Sequence, residues 1–222
     1  MNSRKIGAMT QEQWRRKLAG KLPDRALAYC YALWKEDPFE LLIARSRSTK
    51  FGDFRYRPDQ KVQRISINHD LNPYQFLITL IHEIAHHRVF RDYEQWGIRP
   101  HGPEWKRSFR ELMAPLLDSS VFPHDILIPL RLHMVNPKAS TGGDYFLFKE
   151  LKKYDIIRKE AGGVLLGDLK QGSFFGLKRR VFEKLETRRS RVLCRERATG
   201  RKYLISRHAE VVLVDGAEDL PF

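Results

Sequence analysis

One segment, PYQFLITLIHEIAHHRVFR from Pro73 to Arg91, constrains the fold more than any other. Phe76, Leu77, Leu80, Ile81, Ile84 and Ala85 recur at helical spacing, which predicts one long helix with a well-defined apolar face. Pro73 suits the first turn of that helix and Asn72 its N-cap. Within it His82 and His86 stand four apart, so their imidazoles share a face and can hold one metal ion, with Glu83 between them to act on water. An H-E-x-x-H string arises by chance in roughly two chains per hundred of this composition, so the helical setting is what gives it weight.

A catalytic zinc site takes three protein ligands and leaves one position to water, so a third ligand must lie downstream. The long metzincin form of the motif is excluded, because Val89 and Asp92 occupy the positions that need Gly and His. Two candidates open the next predicted helix, which runs from Pro103 to about Leu117: His101, just before it, and Glu104, in its first turn. Spacing leaves both open. His87, turned about 100° from His86, reads as surface or packing. The two cysteines of the chain, Cys30 and Cys194, cannot build a structural zinc site alone and read as reduced core thiols.

The rest of the chain divides in two. Helices are predicted at Thr10 to Gly20, Pro23 to Glu36, His124 to Met134 (weakened by Pro129 inside it) and Asp144 to Tyr154, with strands at Phe39 to Arg45 and Val62 to Asn68 flanking a loop from Ser46 to Arg57. After a boundary between Lys159 and Gly163, short apolar runs alternate with Gly and charged turns: Val164 to Leu166, Phe174 to Leu177, Val181 to Leu185, Val192 to Cys194, Tyr203 to Ile205 and Val211 to Val214. That pattern predicts a small all-β module, barrel-like, with Gly200 taking a left-handed turn position. The predicted domains are residues 1–160 and 161–222.

Hydrophobic residues make up 42% of the 222, enough for a proper core, and the net charge of +14 favours a polyanionic partner. The excess is unevenly shared: Lys149 to Arg207 holds 18 Lys and Arg against 7 Asp and Glu. Two basic clusters stand out as nucleic-acid contacts. Arg45, Arg47, Lys50, Arg55 and Arg57 interleave with Phe51, Phe54 and Tyr56, and Lys178, Arg179, Arg180, Arg188, Arg189 and Arg191, with Lys184, form a stripe if the strands alternate. No apolar run approaches about 18 residues and the N-terminus has no apolar signal core, so neither a membrane span nor secretion is expected and the location reads as cytoplasmic.

HEIAH at 82–86 followed by HGPEWK at 101–106, with RSRSTKFGDFR at 45–55 and ISINHDLNP at 65–73, resembles the SprT-like metallopeptidases, which include the Spartan proteases. The resemblance spans about residues 20–135. It implies an α+β, zincin-like (minigluzincin-type) catalytic domain with a small antiparallel sheet, one Zn2+ ion held by His82, His86 and His101, and Glu83 as general base; Glu104 stays, on its spacing, the alternative ligand, or else a residue behind the ligands or a charge at the helix N-terminus. It also implies that an extended protein or peptide substrate pairs with Val62 to Asn68 as an edge strand, and that the substrates are DNA-associated or DNA-crosslinked proteins. The cysteine-rich zinc ribbon that ends many relatives has no counterpart in the basic β module. Two other readings of the residues are a nucleic-acid-binding protein whose zinc is structural or vestigial, and a zinc peptidase unrelated to DNA.

Overall fold

The computed structural model describes residues 9–56, 62–93, 98–155 and 163–214. It is a mixed α+β structure that divides into two compact units, Met1–Ile156 and Ile157–Phe222. The predicted boundary falls, apart from Gly163, outside the described residues, as do Arg57 and the predicted domain ends.

The first unit comprises helices α1 (Gln11–Leu18), α2 (Asp24–Glu36), α3 (Pro73–Tyr93), α4 (Pro103–Met113), α5 (His124–Val135) and α6 (Tyr145–Lys152), with strands β1 (Glu40–Ala44), β2 (Gly52–Arg55) and β3 (Arg64–Asn68). Local chemistry sets the helix starts. Thr10 closes a capping box with Gln13 on α1, and Asp144 accepts the Leu147 N–H on α6. Asn72 Oδ1 accepts the Gln75 N–H at 2.9 Å on α3, while its Nδ2 donates to Leu151 O at 2.9 Å, so one cap also ties α3 to the end of α6. Helix α5 runs through Pro129, carried by buried Ile126, Leu127, Leu130 and Met134. The last turn predicted for α4 is instead a 3-10 turn, Ala114–Leu116.

Three expectations about the sheet change. The segment taken as a loop contains β2, whose Gly52 hides it from a reading based on strand-forming residues. The sheet is mixed, not antiparallel: its order is β1-β3-β2, with β1 parallel and β2 antiparallel to β3. Strand β3 is therefore central and cannot serve as a free edge; β2 is the edge strand packed on α3. Helix α3 is buried well beyond one apolar stripe, with Gln75, Thr79, Glu83 and His87 buried as well as its aliphatic residues.

The second unit is a sheet of strands β4 (Val164–Leu165), β5 (Phe174–Leu177), β6 (Arg180–Thr187), β7 (Arg191–Glu196), β8 (Lys202–Ser206) and β9 (Glu210–Leu213). Its order is β4-β9-β5-β6-β7-β8, all pairs antiparallel, and none of these pairings joins β4 to β8 to close a barrel. Phe175, Phe182, Val192, Cys194 and Val211 form its core with Leu166 and Leu169. Gly200 holds φ +68°, as its turn requires. The two-residue turn between β5 and β6 is less expected: Lys178 and Arg179 both hold positive φ, 49° and 60°. That is the signature of a type I′ turn, where Asn-Gly is favoured and a side chain costs about 1–2 kcal/mol per residue.

Lys184 leaves the predicted basic stripe altogether. Alternation from buried Phe182 puts Lys184 on the core face opposite Cys194, 3% exposed, just before the register of β6 against β7 shifts. Its ammonium donates to Leu166 O at 3.0 Å, Gly167 O at 3.2 Å and Leu169 O at 2.6 Å, so all three of its donors are used on the short 3-10 turn after β4. Burial lowers its pKa from the ordinary lysine value. Lys184→Met keeps the aliphatic volume but strands those carbonyls, and is expected to destabilise the second unit by about 2–4 kcal/mol. Hydrogen exchange of the β4–β9 amides in the full chain reads that loss directly.

Candidate metal centre

Helix α3 projects His82 and His86 from adjacent turns, and the third imidazole arrives through a turn. Gly102 N–H donates to Arg99 O at 2.9 Å, Pro100 occupies the second position, and His101 holds φ 59° at the third. This is the geometry of a type II turn, in which the third residue is ordinarily Gly. A Cβ on Gly102 would meet Arg99 O at 2.9 Å, so that position needs its glycine. His101 therefore sits in a left-handed conformation that costs about 1–2 kcal/mol, held by Pro100 on one side and by α4, starting at Pro103, on the other.

The result is a triangle of ring nitrogens. The Nε2 atoms of His82 and His86 are 3.2 Å apart, those of His86 and His101 3.0 Å, and those of His101 and His82 3.1 Å. Burial lowers all three pKa values, His86 to about 4 with help from His101, and His82 well below its ordinary value with help from the neighbouring His86, His101 and His133. The rings are thus neutral near pH 7, and their converging lone pairs repel unless a cation lies among them. Two ligands of a tetrahedral ion with metal–nitrogen bonds of about 2.0–2.1 Å stand about 3.3 Å apart, so the donor set fits a metal ion. Among the described residues, this trio is the group of His, Cys and carboxylate side chains placed to hold one. Glu104 is not brought into it; its Oε2 folds back to 3.3 Å from where a Cβ on Gly102 would sit.

Sequence reading missed Trp105. Its ring lies 4.6 Å from His82, 5.4 Å from His86 and 4.7 Å from His101 between centroids, and it stacks on Phe109 at 4.9 Å. Its Nε1–H donates to His82 O at 3.3 Å. One indole thus backs all three imidazoles and fixes α4 to α3. The available signal was its place four residues beyond His101, on the buried face of α4.

Glu83 is 6% exposed. Burial pushes its pKa up to about 8, against the pull of the Phe54 N–H that donates to it and of Arg47 and Lys50 nearby. It lies directly under β2: a Cβ on Gly52 would come within 2.6 Å of both Glu83 Oε1 and Thr79 Cγ2. Gly52 is needed for closeness rather than for backbone freedom. The loop before β2 is pinned from below, since Asn68 Nδ2 donates to Arg47 O at 3.1 Å and Lys50 O at 2.9 Å. In return Arg47 donates to Asn68 Oδ1 at 2.8 Å and Ser66 Oγ at 3.1 Å.

The triad and Glu83 line an open cleft of about 620 Å3, walled by residues 48–54 on one side and 139–142 on the other. Its floor carries a buried chain in which Thr141 Oγ1 donates to Gln75 Oε1 at 3.0 Å and Gln75 Nε2 to Thr79 Oγ1 at 3.2 Å.

The basic candidates fare differently from one another. Arg47 is spent on the internal bonds above, and Lys50 and Arg55 both face Asp53, at 2.8 and 3.5 Å. Phe51 and Phe54 pack on the core, leaving Tyr56 exposed. In the second unit Arg180 pairs with Glu196 and covers the Phe182 and Tyr203 rings, and Arg188 faces Glu186 at 3.4 Å. Arg45, Lys178, Arg179, Arg189 and Arg191 are exposed.

Two substitutions separate geometry from chemistry. Gly52→Ala is expected to lift β2 off Glu83 and cost about 1–3 kcal/mol in a denaturant melt, since the methyl meets a buried side chain and cannot be accommodated in place. His101→Asn puts a residue that tolerates the left-handed region at the turn. In chelator its melting temperature should equal or exceed the parent's. Its metal affinity should fall by more than the roughly 10–100-fold that losing a partner behind a ligand costs, measured by metal titration.

No protein-family model, curated protein or solved structure matches the chain, and the chemistry of the cluster rests on its own geometry.

Proposed function

We propose that the chain is a zinc-dependent metalloendopeptidase of the SprT-like kind, acting on proteins associated with DNA. The observation that carries this reading is the juxtaposition of three converging imidazoles with a buried carboxylate from the helix that supplies two of them, in a cleft bordered by a strand edge. Among the described residues the cluster offers three histidines rather than four ligands, which favours a catalytic over a structural site, and nitrogen donors suit Zn2+. Bound there, zinc acidifies a water towards a pKa of about 7 and polarises a carbonyl oxygen.

The remaining work falls to the chain. Glu83, on the cleft wall between the imidazoles and β2 and favoured in its ionised form against its burial by a cation held among those imidazoles, takes the proton of the attacking water as the new C–O bond forms. It then delivers that proton to the amine nitrogen as the peptide C–N bond breaks. The Phe54 N–H orients its carboxylate, and Gly52 lets the strand pass close enough for that bond. An extended substrate lies along β2, whose outer edge is unpaired in the sheet order and whose residues line the cleft. Backbone pairing of this kind recognises main chain and tolerates many side chains. The DNA-linked substrate class follows from the resemblance and from the net charge of +14, which draws the protein to polyanions.

Zinc-loaded protein incubated with a DNA-binding protein, with and without DNA, tests both halves. Cleavage should stop on chelation and return with Zn2+. Glu83→Gln should lower kcat by about 10²–10⁴-fold with one zinc still bound. Undiminished cleavage by that variant would sink the mechanism, and cleavage indifferent to DNA would remove the substrate class while leaving the peptidase.

A further inference from the structure

We infer that one end of the second unit's sheet is a binding surface for the phosphodiester backbone of a nucleic acid. Leu177 pairs with Arg180, so Lys178-Arg179 is the whole turn between β5 and β6. Phe182 pairs with Glu196 and Arg197 N–H donates to Val181 O at 2.9 Å, which puts the turn between β7 and β8 at the same end. That end gathers Lys178, Arg179, Arg197, Arg201 and Lys202, all exposed. The carboxylate nearby, Glu196, is taken up by Arg180. Among the described residues no carboxylate stands within ion-pair distance of Lys178, Arg179, Arg201 or Lys202.

A solvated charge is served equally well by any exposed position. Here two consecutive cations occupy the strained positions of a type I′ turn that Asn-Gly would fill without strain. Charge kept at a backbone cost points to use of the charge. The two turns are two strand spacings apart, about 10 Å, which is the axial rise of about three nucleotides of one strand. A bilayer fits less well, because the turns offer Lys178, Arg179, Ala198, Thr199 and Gly200 and no large apolar side chain to insert. Arg188, Arg189 and Arg191 lie at the opposite end of β6 and form no part of this surface.

The inference extends the DNA-linked part of the proposed function but rests on the second unit alone. Binding is therefore measured on zinc-loaded full-length Glu83→Gln protein, so that failure of the peptidase reading leaves the result interpretable. Fluorescence anisotropy with labelled single-stranded DNA, duplex DNA and RNA of one sequence should show affinity falling on the order of 10²-fold between about 50 and 200 mM salt, if about four phosphates are neutralised. The three probes identify which nucleic acid is held best. Lys178→Asn with Arg179→Gly should melt no lower than the parent yet bind at least about tenfold more weakly, with the salt slope reduced by about two. Arg201→Gln with Lys202→Gln should weaken binding in the same way. Unchanged affinity in the first double variant overturns the proposal, as does a greater loss from Arg188→Gln with Arg189→Gln and Arg191→Gln. Tighter binding to phosphatidylserine vesicles or to polyglutamate than to every nucleic acid also overturns it.

Discussion

The first unit depends on burying α3 beyond a single face. A helix with an apolar stripe needs one partner, whereas α3 also buries Gln75, Thr79, Glu83 and His87; Thr79 is satisfied by Gln75 within the helix, and the other three find partners outside it. Gln75 meets Thr141, Glu83 meets the Phe54 N–H, and His87 faces Asp37 at 3.5 Å between the Phe39 and Phe54 rings. The loop before α6, β2 and the end of α2 are thereby each assigned a place by one polar residue of α3. The same helix supplies two of the three imidazoles that could hold a metal ion, so the groups that hold the fold and those of the candidate site share one rigid element.

Two local costs are concentrated at the site. His101 occupies a left-handed turn position, and Gly52 gives up a side chain in a strand. Each makes sense only through its neighbour across the cleft: His101 must reach the two imidazoles on α3, and Gly52 must let β2 touch Glu83. Trp105 and Asn68 hold these two arrangements in place, one behind the rings and the other under the loop. A site built this way is organised before any ion or substrate enters it.

What was legible in the sequence was what is local. Thr10, Asn72 and Asp144 mark helix starts through bonds that span three residues, Pro73 and Pro103 mark them through proline's fixed φ, and the six short apolar runs of the second unit all became strands. Sheet order is set by contacts between distant residues, so β3 passed for an edge and β2 passed for a loop. In the site, the spacing of His82 and His86 follows from helix geometry. Bringing His101 rather than Glu104 into the triad depends on a turn whose positive φ no residue type announces, because His is an uncommon occupant. Trp105 went unnoticed for the same reason: its meeting with three imidazoles exists only once α3 and α4 are packed.

Charge was the least legible property, because a basic residue's role depends on which face of a strand it occupies and on what lies opposite. Lys178 and Lys184 are six positions apart on one hairpin, and simple alternation places both on one side. That side of β6 also carries buried Phe182 and faces the core, so Lys184 becomes a buried ammonium that satisfies three carbonyls, while the turn residue stays exposed. Arg47, Arg180 and Lys184 have each become part of the framework, as hydrogen-bond donor, ion-pair partner and buried cap. A formal charge of +14 therefore overstates what a partner meets. Of the basic candidates in the two clusters, those that stay outward without an ion-pair partner among the described residues, Arg45, Lys178, Arg179, Arg189 and Arg191, sit in turns and at strand ends. An electrostatic partner would feel those as discrete contacts rather than as a uniform field, so its affinity should depend on which end of the sheet is altered and not simply on how many charges are removed.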